Sequence, residues 1–146
     1  MVAREDIDIK IVREADPEQM RELYRAGSWW DEEKSKLEEL PRLVQGSFAF
    51  AVAQDQTTAR LVGMGRVISD GVSDGYIQDV IVFPQYRGLG LGKDIIQKLV
   101  DHCLRSGVNW LALIAEPGSE GFYKKLEFSR MKDHIPVRYM PGGPTK

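Results

Sequence analysis

The stretch Val80-Ile81-Val82-Phe83-Pro84-Gln85-Tyr86-Arg87-Gly88-Leu89-Gly90-Leu91-Gly92-Lys93 decides the fold. Its β-branched start favours a pleat and Pro84 stops the ladder, so it reads as a strand closing in a turn. Beyond it Leu91, Ile95, Leu99 and Cys103 recur at helical spacing with Ile96, Val100 and Leu104 alongside, while Gln97, Lys98, Asp101, His102 and Arg105 fill the other face. That period predicts an amphipathic helix stopped by Gly107, with Cys103 on its buried stripe. A glycine-rich turn feeding a helix leaves the first backbone N–H groups without intrahelical partners, and the helix dipole adds partial positive charge there. Arg87 and Lys93 add whole charges, which makes the turn a candidate phosphate site.

Two common nucleotide loops do not fit. A dinucleotide fingerprint needs Gly-x-Gly-x-x-Gly, whereas Gly88, Gly90 and Gly92 are evenly spaced. A triphosphate loop needs glycine at position 87 and a hydroxyl at position 94, and Arg87 and Asp94 stand there.

Working outward, Ile7, Ile9 and Ile11 alternate with Asp8 and Lys10 as a half-buried first strand. Asp16-Pro17-Glu18-Gln19 reads as a helix start, with Asp16 as N-cap, Pro17 at the first helical position and Gln19 at the reciprocal capping position. Met20, Leu23 and Tyr24 form that helix's buried stripe and Gly27 ends it. Ser28-Trp29-Trp30-Asp31 leads to a second helix carrying Leu37, Leu40 and Leu43, kinked or shortened by Pro41. Ser47 to Ala53 and Arg60 to Ser69 form a hairpin, in which Gly63 and Gly65 mark a bulge or a close neighbour. Trp110 to Ala115 is a further buried strand, Glu120 to Leu126 a short helix, and closing strands are expected around Ser129–Met131 and Ile135–Tyr139.

At 146 residues the chain has room for one domain with a full core, expected over residues 1–140, with a loose tail at 141–146. A formal net charge of -2 gives no general pull toward nucleic acid or an anionic membrane, so any anion site is local. One cysteine and two histidines argue against a disulfide or a structural zinc, and no metal is expected. No apolar run approaches membrane-spanning length and the first residues lack the apolar core of a signal peptide, so the expected compartment is the cytoplasm.

The glycine loop resembles the acyl-CoA pyrophosphate loop of the GNAT N-acetyltransferase superfamily, whose motif is Gln/Arg-x-x-Gly-x-Gly/Ala after a hydrophobic strand. Two registers overlap, Gln85-x-x-Gly88-x-Gly90 and Arg87-x-x-Gly90-x-Gly92. The whole loop, Arg87, Gly88, Leu89, Gly90, Leu91, Gly92 and Lys93, is therefore carried over as cofactor-binding. A second stretch, Gly121-Phe122-Tyr123-Lys124-Lys125-Leu126-Glu127-Phe128, is similar to the family's Phe-Tyr-x-Lys-x-Gly-Phe helix, and it departs from it in carrying Glu127 where glycine is usual. If that position ends the helix in a left-handed conformation, glutamate is strained there. Ala115-Glu116-Pro117-Gly118 departs again, where many relatives carry an asparagine that bonds the cofactor arm. The resemblance covers nearly the whole chain and implies an α/β fold, a mixed sheet with helices on both faces in the order β-α-α-β-β-β-α-β-α-β-β.

What the resemblance implies for function is transfer of the acetyl group of acetyl-CoA to a primary amine of a small molecule, by direct attack in a ternary complex. A bulge in the central strand would free a backbone N–H near Val80, Ile81 and Val82 for the thioester carbonyl, with Phe122 and Tyr123 also meeting the cofactor. Tyr123 is the candidate acid, because a phenol with a reference pKa of about 10 can protonate a leaving thiolate. Packing beside Phe122 and Phe128 is the other reading of Tyr123. Asp79 is the candidate base, and it resembles an acidic position before the bulge in the glucosamine-6-phosphate N-acetyltransferase branch. It also reads as a buried aspartate bonding backbone amides. Trp29 and Trp30 lie in the loop that walls the acceptor pocket in the resembling enzymes and are candidate substrate contacts. Arg66 reads either as a contact for an acceptor anion or as an ion-pair partner. A protein lysine or N-terminal acetyltransferase, and a non-catalytic CoA sensor, remain open, as does a homodimer.

Overall fold

The computed structural model describes residues 2–144. Five strands, β1 (Ile7–Ile11), β2 (Ala49–Asp55), β3 (Arg60–Ile68), β4 (Asp74–Val82) and β5 (Trp110–Ala112), form one sheet in sequence order. The first four are antiparallel neighbours and β5 runs parallel to β4, so the sheet is mixed. The parallel step needs a crossover. It is supplied by α3 (Leu91–Arg105), which buries Leu91, Ile95, Ile96, Leu99 and Cys103 as the helical period requires.

α3 approaches the sheet closely at β3. A Cβ added at Gly65 would stand 2.9 Å from Ile95 Cγ2 and 3.2 Å from both Leu99 Cδ1 and Val80 Cγ2, and one at Gly63 would stand 3.1 Å from Ile95 Cδ1. The glycines mark a close neighbour, one of the two readings their positions allow. Side chains alternate along a strand, so Met64 and Arg66 point to the opposite face. There α1 (Pro17–Ala26) covers the sheet with Met20, Leu23 and Tyr24, all buried.

Asp16 caps α1 as expected, accepting from the Glu18 N–H at 3.2 Å. Gln19 does not accept the Asp16 N–H in return; its Nε2 donates instead to Asp16 Oδ2 at 3.3 Å. The β2–β3 register slips between Ala53 and Gln54, and Gln19 Oε1 accepts the Leu61 N–H there at 2.7 Å, tying α1 to the sheet. Pro41 lies in the first turn of α2 (Leu40–Gly46), after a 3₁₀ turn at Leu37–Glu39, so the proline shortens this helix by setting its start.

The described chain clusters into two compact units, Met1–Leu113 and Ile114–Lys146. The first holds the sheet with α1, α2 and α3. The second holds α4 (Glu120–Lys124), whose Glu120 carboxylate accepts two bonds from Arg130 at 2.7 and 2.8 Å. The two closing strands expected at 129–131 and 135–139 are not formed. Ile135, Val137 and Tyr139 alternate as a strand would, yet they are 79%, 90% and 87% exposed, and Pro136 and Pro141 remove ladder donors. In the tail, residues 141–144 are exposed, and Thr145 and Lys146 lie outside the described residues.

Gly65→Val is expected to force α3 off β3 and to cost about 1–3 kcal/mol, the usual range for overpacking. Urea denaturation followed by tryptophan fluorescence measures it, and a midpoint equal to the wild type's would show that the approach is not tight.

Candidate active site

The loop from Pro84 to Gly90 joins β4 to α3. A 3₁₀ turn at Pro84–Tyr86 opens it, then Gly88 and Gly90 take left-handed backbones at φ 87° and 78°. Both glycines face open space, since a Cβ on either would meet nothing within 4 Å. The first helical hydrogen bond runs from Asp94 N–H to the Gly90 carbonyl at 3.0 Å, so the N–H groups of Leu91, Gly92 and Lys93 precede the ladder. Arg87 and Lys93 are exposed beside them. Asp94, an acid in this first turn, is turned aside: Arg4 Nε and Nη2 bond its Oδ2 at 3.0 and 2.8 Å. Arg4 carried no signal in the sequence, because its partner lies 90 residues away.

The loop is anchored by Tyr86, whose hydroxyl donates to Asp55 Oδ2 at 2.8 Å. Asp55 is 1% exposed at the end of β2 and also accepts from Thr57 N–H and Oγ1. Those bonds, first from Thr57 and then from Tyr86, hold the Asp55 carboxyl below its ordinary pKa.

Asp79 lies where β4 bulges. Met64 pairs with Ile81 and Arg66 with Gln78, so Asp79 and Val80 together oppose Gly65, and Asp79 takes a left-handed backbone at φ 60°. Its Oδ2 accepts from Tyr24 at 2.7 Å and from Arg66 Nε at 2.8 Å. Arg66 is thus an ion-pair partner, and the pair is largely buried, with side chains 15% and 13% exposed. Burial, then the Asp79 charge, push the Tyr24 phenol well above its ordinary pKa, so it stays a donor. Tyr24 read only as part of an apolar stripe, since periodicity shows which face a tyrosine takes and not where its hydroxyl goes. Trp29 stands edge-on to Tyr24 with centroids 6.2 Å apart and is 36% exposed, while Trp30 is half-buried.

In the second unit, Tyr123 is half-buried and edge-on to Phe122 and Phe128, with centroids at 5.0 and 5.9 Å. Burial raises its pKa and the Glu116 carboxylate adds to the effect. Glu127 is left-handed at φ 72°, the conformation expected of a residue replacing glycine there. Among the described residues, no cluster of His, Cys, Asp or Glu is placed to hold a metal, and no helix is long and apolar enough to cross a membrane.

A glycine turn whose last N–H groups precede the helical ladder is thus set after a bulged strand of a mixed sheet. The acetyltransferase (GNAT) family model matches residues 10–128, and the chain belongs to that family. Over 84 residues it is 34% identical to an uncharacterized N-acetyltransferase, ycf52, of Pyropia yezoensis, covering 58% of this chain and 48% of that protein. It is 39% identical over 79 residues to the chloroplastic serotonin N-acetyltransferase 2 of Oryza sativa subsp. japonica, covering 54% and 40%. The chain thus spans about half or less of the length of these curated relatives. A probable acetyltransferase from meticillin-resistant Staphylococcus aureus superposes with a TM-score of 0.76 over 92% of this chain and 98% of its own, at 21% identity, a likeness of fold.

Because the Asp55 carboxyl titrates lower folded than unfolded, its stabilisation is complete above the unfolded value of about 3.9 and is lost as pH falls through the folded value. Tyr86→Phe should therefore cost about 1.5–3 kcal/mol at pH 7, the range for a hydrogen bond to a charged group. In denaturation curves at descending pH the deficit should shrink below about pH 4. A deficit independent of pH would mean that the hydroxyl's contribution does not depend on the charge of Asp55.

Proposed function

We propose that the protein is an acetyl-CoA-dependent N-acetyltransferase acting on a primary amine. The observation that carries this reading is the N-terminal end of α3. There two left-handed glycines without side-chain neighbours expose consecutive N–H groups between Arg87 and Lys93, an arrangement that suits the pyrophosphate of a CoA thioester.

In this mechanism Arg87, Gly88, Leu89, Gly90, Leu91, Gly92 and Lys93 hold the pyrophosphate, and Phe122 and Tyr123 also meet the cofactor. The bulged segment Val80–Val82 offers an N–H to the thioester carbonyl, where negative charge develops as the amine attacks. The tetrahedral intermediate collapses by breaking the C–S bond, Tyr123 donates its proton to the leaving sulfur, and the proton that the attacking nitrogen sheds returns through solvent to restore the Tyr123 phenol. A raised phenol pKa keeps that proton in place at neutral pH. Direct transfer in a ternary complex needs no nucleophile from the protein, which suits a chain whose one cysteine is buried in α3. A small-molecule amine is the favoured acceptor, with Trp29 offering a partly exposed aromatic face to it. The rice relative's name, serotonin N-acetyltransferase, is in keeping with a small amine acceptor.

Gly90→Glu should abolish acetyl-CoA binding, because a side chain and a negative charge would enter the space in front of α3. Isothermal titration calorimetry reads this directly, and unchanged affinity in a folded variant would reduce the loop to a turn.

Tyr123→Phe keeps the ring and deletes the proton. Turnover in a coupled thiol-release assay is expected to fall toward the lower end of the roughly 10²–10⁴ range for a lost general acid, since a thiol of reference pKa about 8.5 can leave unprotonated. Acetyl-CoA affinity should hold. Turnover within about twofold of wild type, where chemistry limits the rate, would assign Tyr123 to packing.

A further inference from the structure

The Arg66 guanidinium grips two consecutive residues of β4. Nε donates to Asp79 Oδ2 at 2.8 Å and Nη2 to Gln78 Oε1 at 3.3 Å, while Nη1 reaches Ser47 Oγ at 3.4 Å. Consecutive side chains of a regular strand point to opposite faces, so one fork can hold both 78 and 79 only if the strand is bulged between them. From α1, the Tyr24 hydroxyl fixes the same Asp79 oxygen at 2.7 Å. Two donors thus fill Oδ2, and the carboxylate is enclosed by the groups it anchors. The backbone held in place is an uncommon one, since Asp79 has φ 60° and a side chain other than glycine's resists that conformation. A buried ion pair contributes little net stability against apolar residues of similar size, so the consequence of this one lies in the geometry it imposes.

We propose that Arg66 is a positioning residue for acyl transfer. With Tyr24 it clamps Asp79 in the left-handed conformation and thereby fixes the direction of the N–H groups of Val80–Val82, and Asp79 acts through its backbone and not as the base. The inference rests on the reading of the protein as an acetyltransferase, in which those N–H groups meet the thioester carbonyl. Glycine takes a positive φ without a clamp and valine resists it. The side chain at 79 can therefore be separated from the backbone it imposes.

The test compares Arg66→Met/Asp79→Gly with Arg66→Met/Asp79→Val, neither of which leaves a buried charge unpaired. The glycine variant is expected to lose no more than about tenfold in kcat and to keep the acidic limb of the kcat–pH profile. The valine variant should lose more than about 100-fold in kcat, with KM for acetyl-CoA within about threefold, because the pyrophosphate loop is separate from the bulge. Equal losses in both, with the acidic limb gone from the glycine variant, would make the carboxylate the base and overturn the proposal, as would two variants within tenfold of wild type. Should the valine variant not fold, Arg66→Lys decides, since one ammonium cannot hold both residues. Its amides at 79–82 should exchange hydrogen at least about tenfold faster than wild type in the ligand-free protein, and unchanged exchange overturns the clamp. That arm needs no turnover, so wild-type protein that acetylates no amine would sink the acetyltransferase reading while the exchange result still judges the clamp.

Discussion

Everything in the first unit depends on how closely α3 lies against β3. With no side chain at Gly63 or Gly65, the isoleucine and leucine of α3 rest on the strand's backbone, and the helix axis is held at a distance that only glycine permits. The N-terminus of α3 is fixed by the same contact, so the free N–H groups of the glycine loop keep a set position beyond the end of β4. Interiors are close-packed and transmit displacement, which makes this apolar contact a determinant of where those N–H groups point.

The two faces of the sheet divide the work. On the α3 face the interactions are apolar and set distance. On the α1 face apolar packing by Met20 and Leu23 is joined by polar bonds that set conformation: Tyr24, Arg66 and Asp79 are linked through one carboxylate oxygen, next to the bulge. At the edge of the loop, Tyr86 and Asp55 join β2 to the turn that follows β4. Asp79 and Asp94 are each paired with an arginine from elsewhere in the first unit, whereas Asp55 is held by neutral donors.

The first four strands, α1, α3 and the glycine loop were legible in the sequence because each writes its own pattern: alternation in Ile7–Ile11, helical spacing from Leu91 to Cys103, and β-branched residues before Pro84; the strand expected at 110–115 is only Trp110–Ala112 and is not buried, with Trp110 51% exposed. The capping role of Asp16 was legible for the same local reason. Long-range pairings were not. Arg4 with Asp94, Gln19 with Leu61 and Tyr86 with Asp55 join residues distant in sequence, and a residue's type does not name its partner. The alternation of Ile135, Val137 and Tyr139 misled, since a strand is made by a partner's ladder and not by its own pattern. Glu127 was legible as a conformational problem because its backbone is dictated locally by the helix it ends.

Cys103 lies fully buried on the stripe of α3 that faces the sheet, and burial pushes its thiol above the ordinary value. As the chain's one cysteine it carries no chemistry in the native state and becomes reactive only when α3 lifts away. A thiol reagent added to the native protein would therefore act as a clock for that opening. Its labelling rate gives the free energy with which the central helix is held, without denaturant and without any ligand.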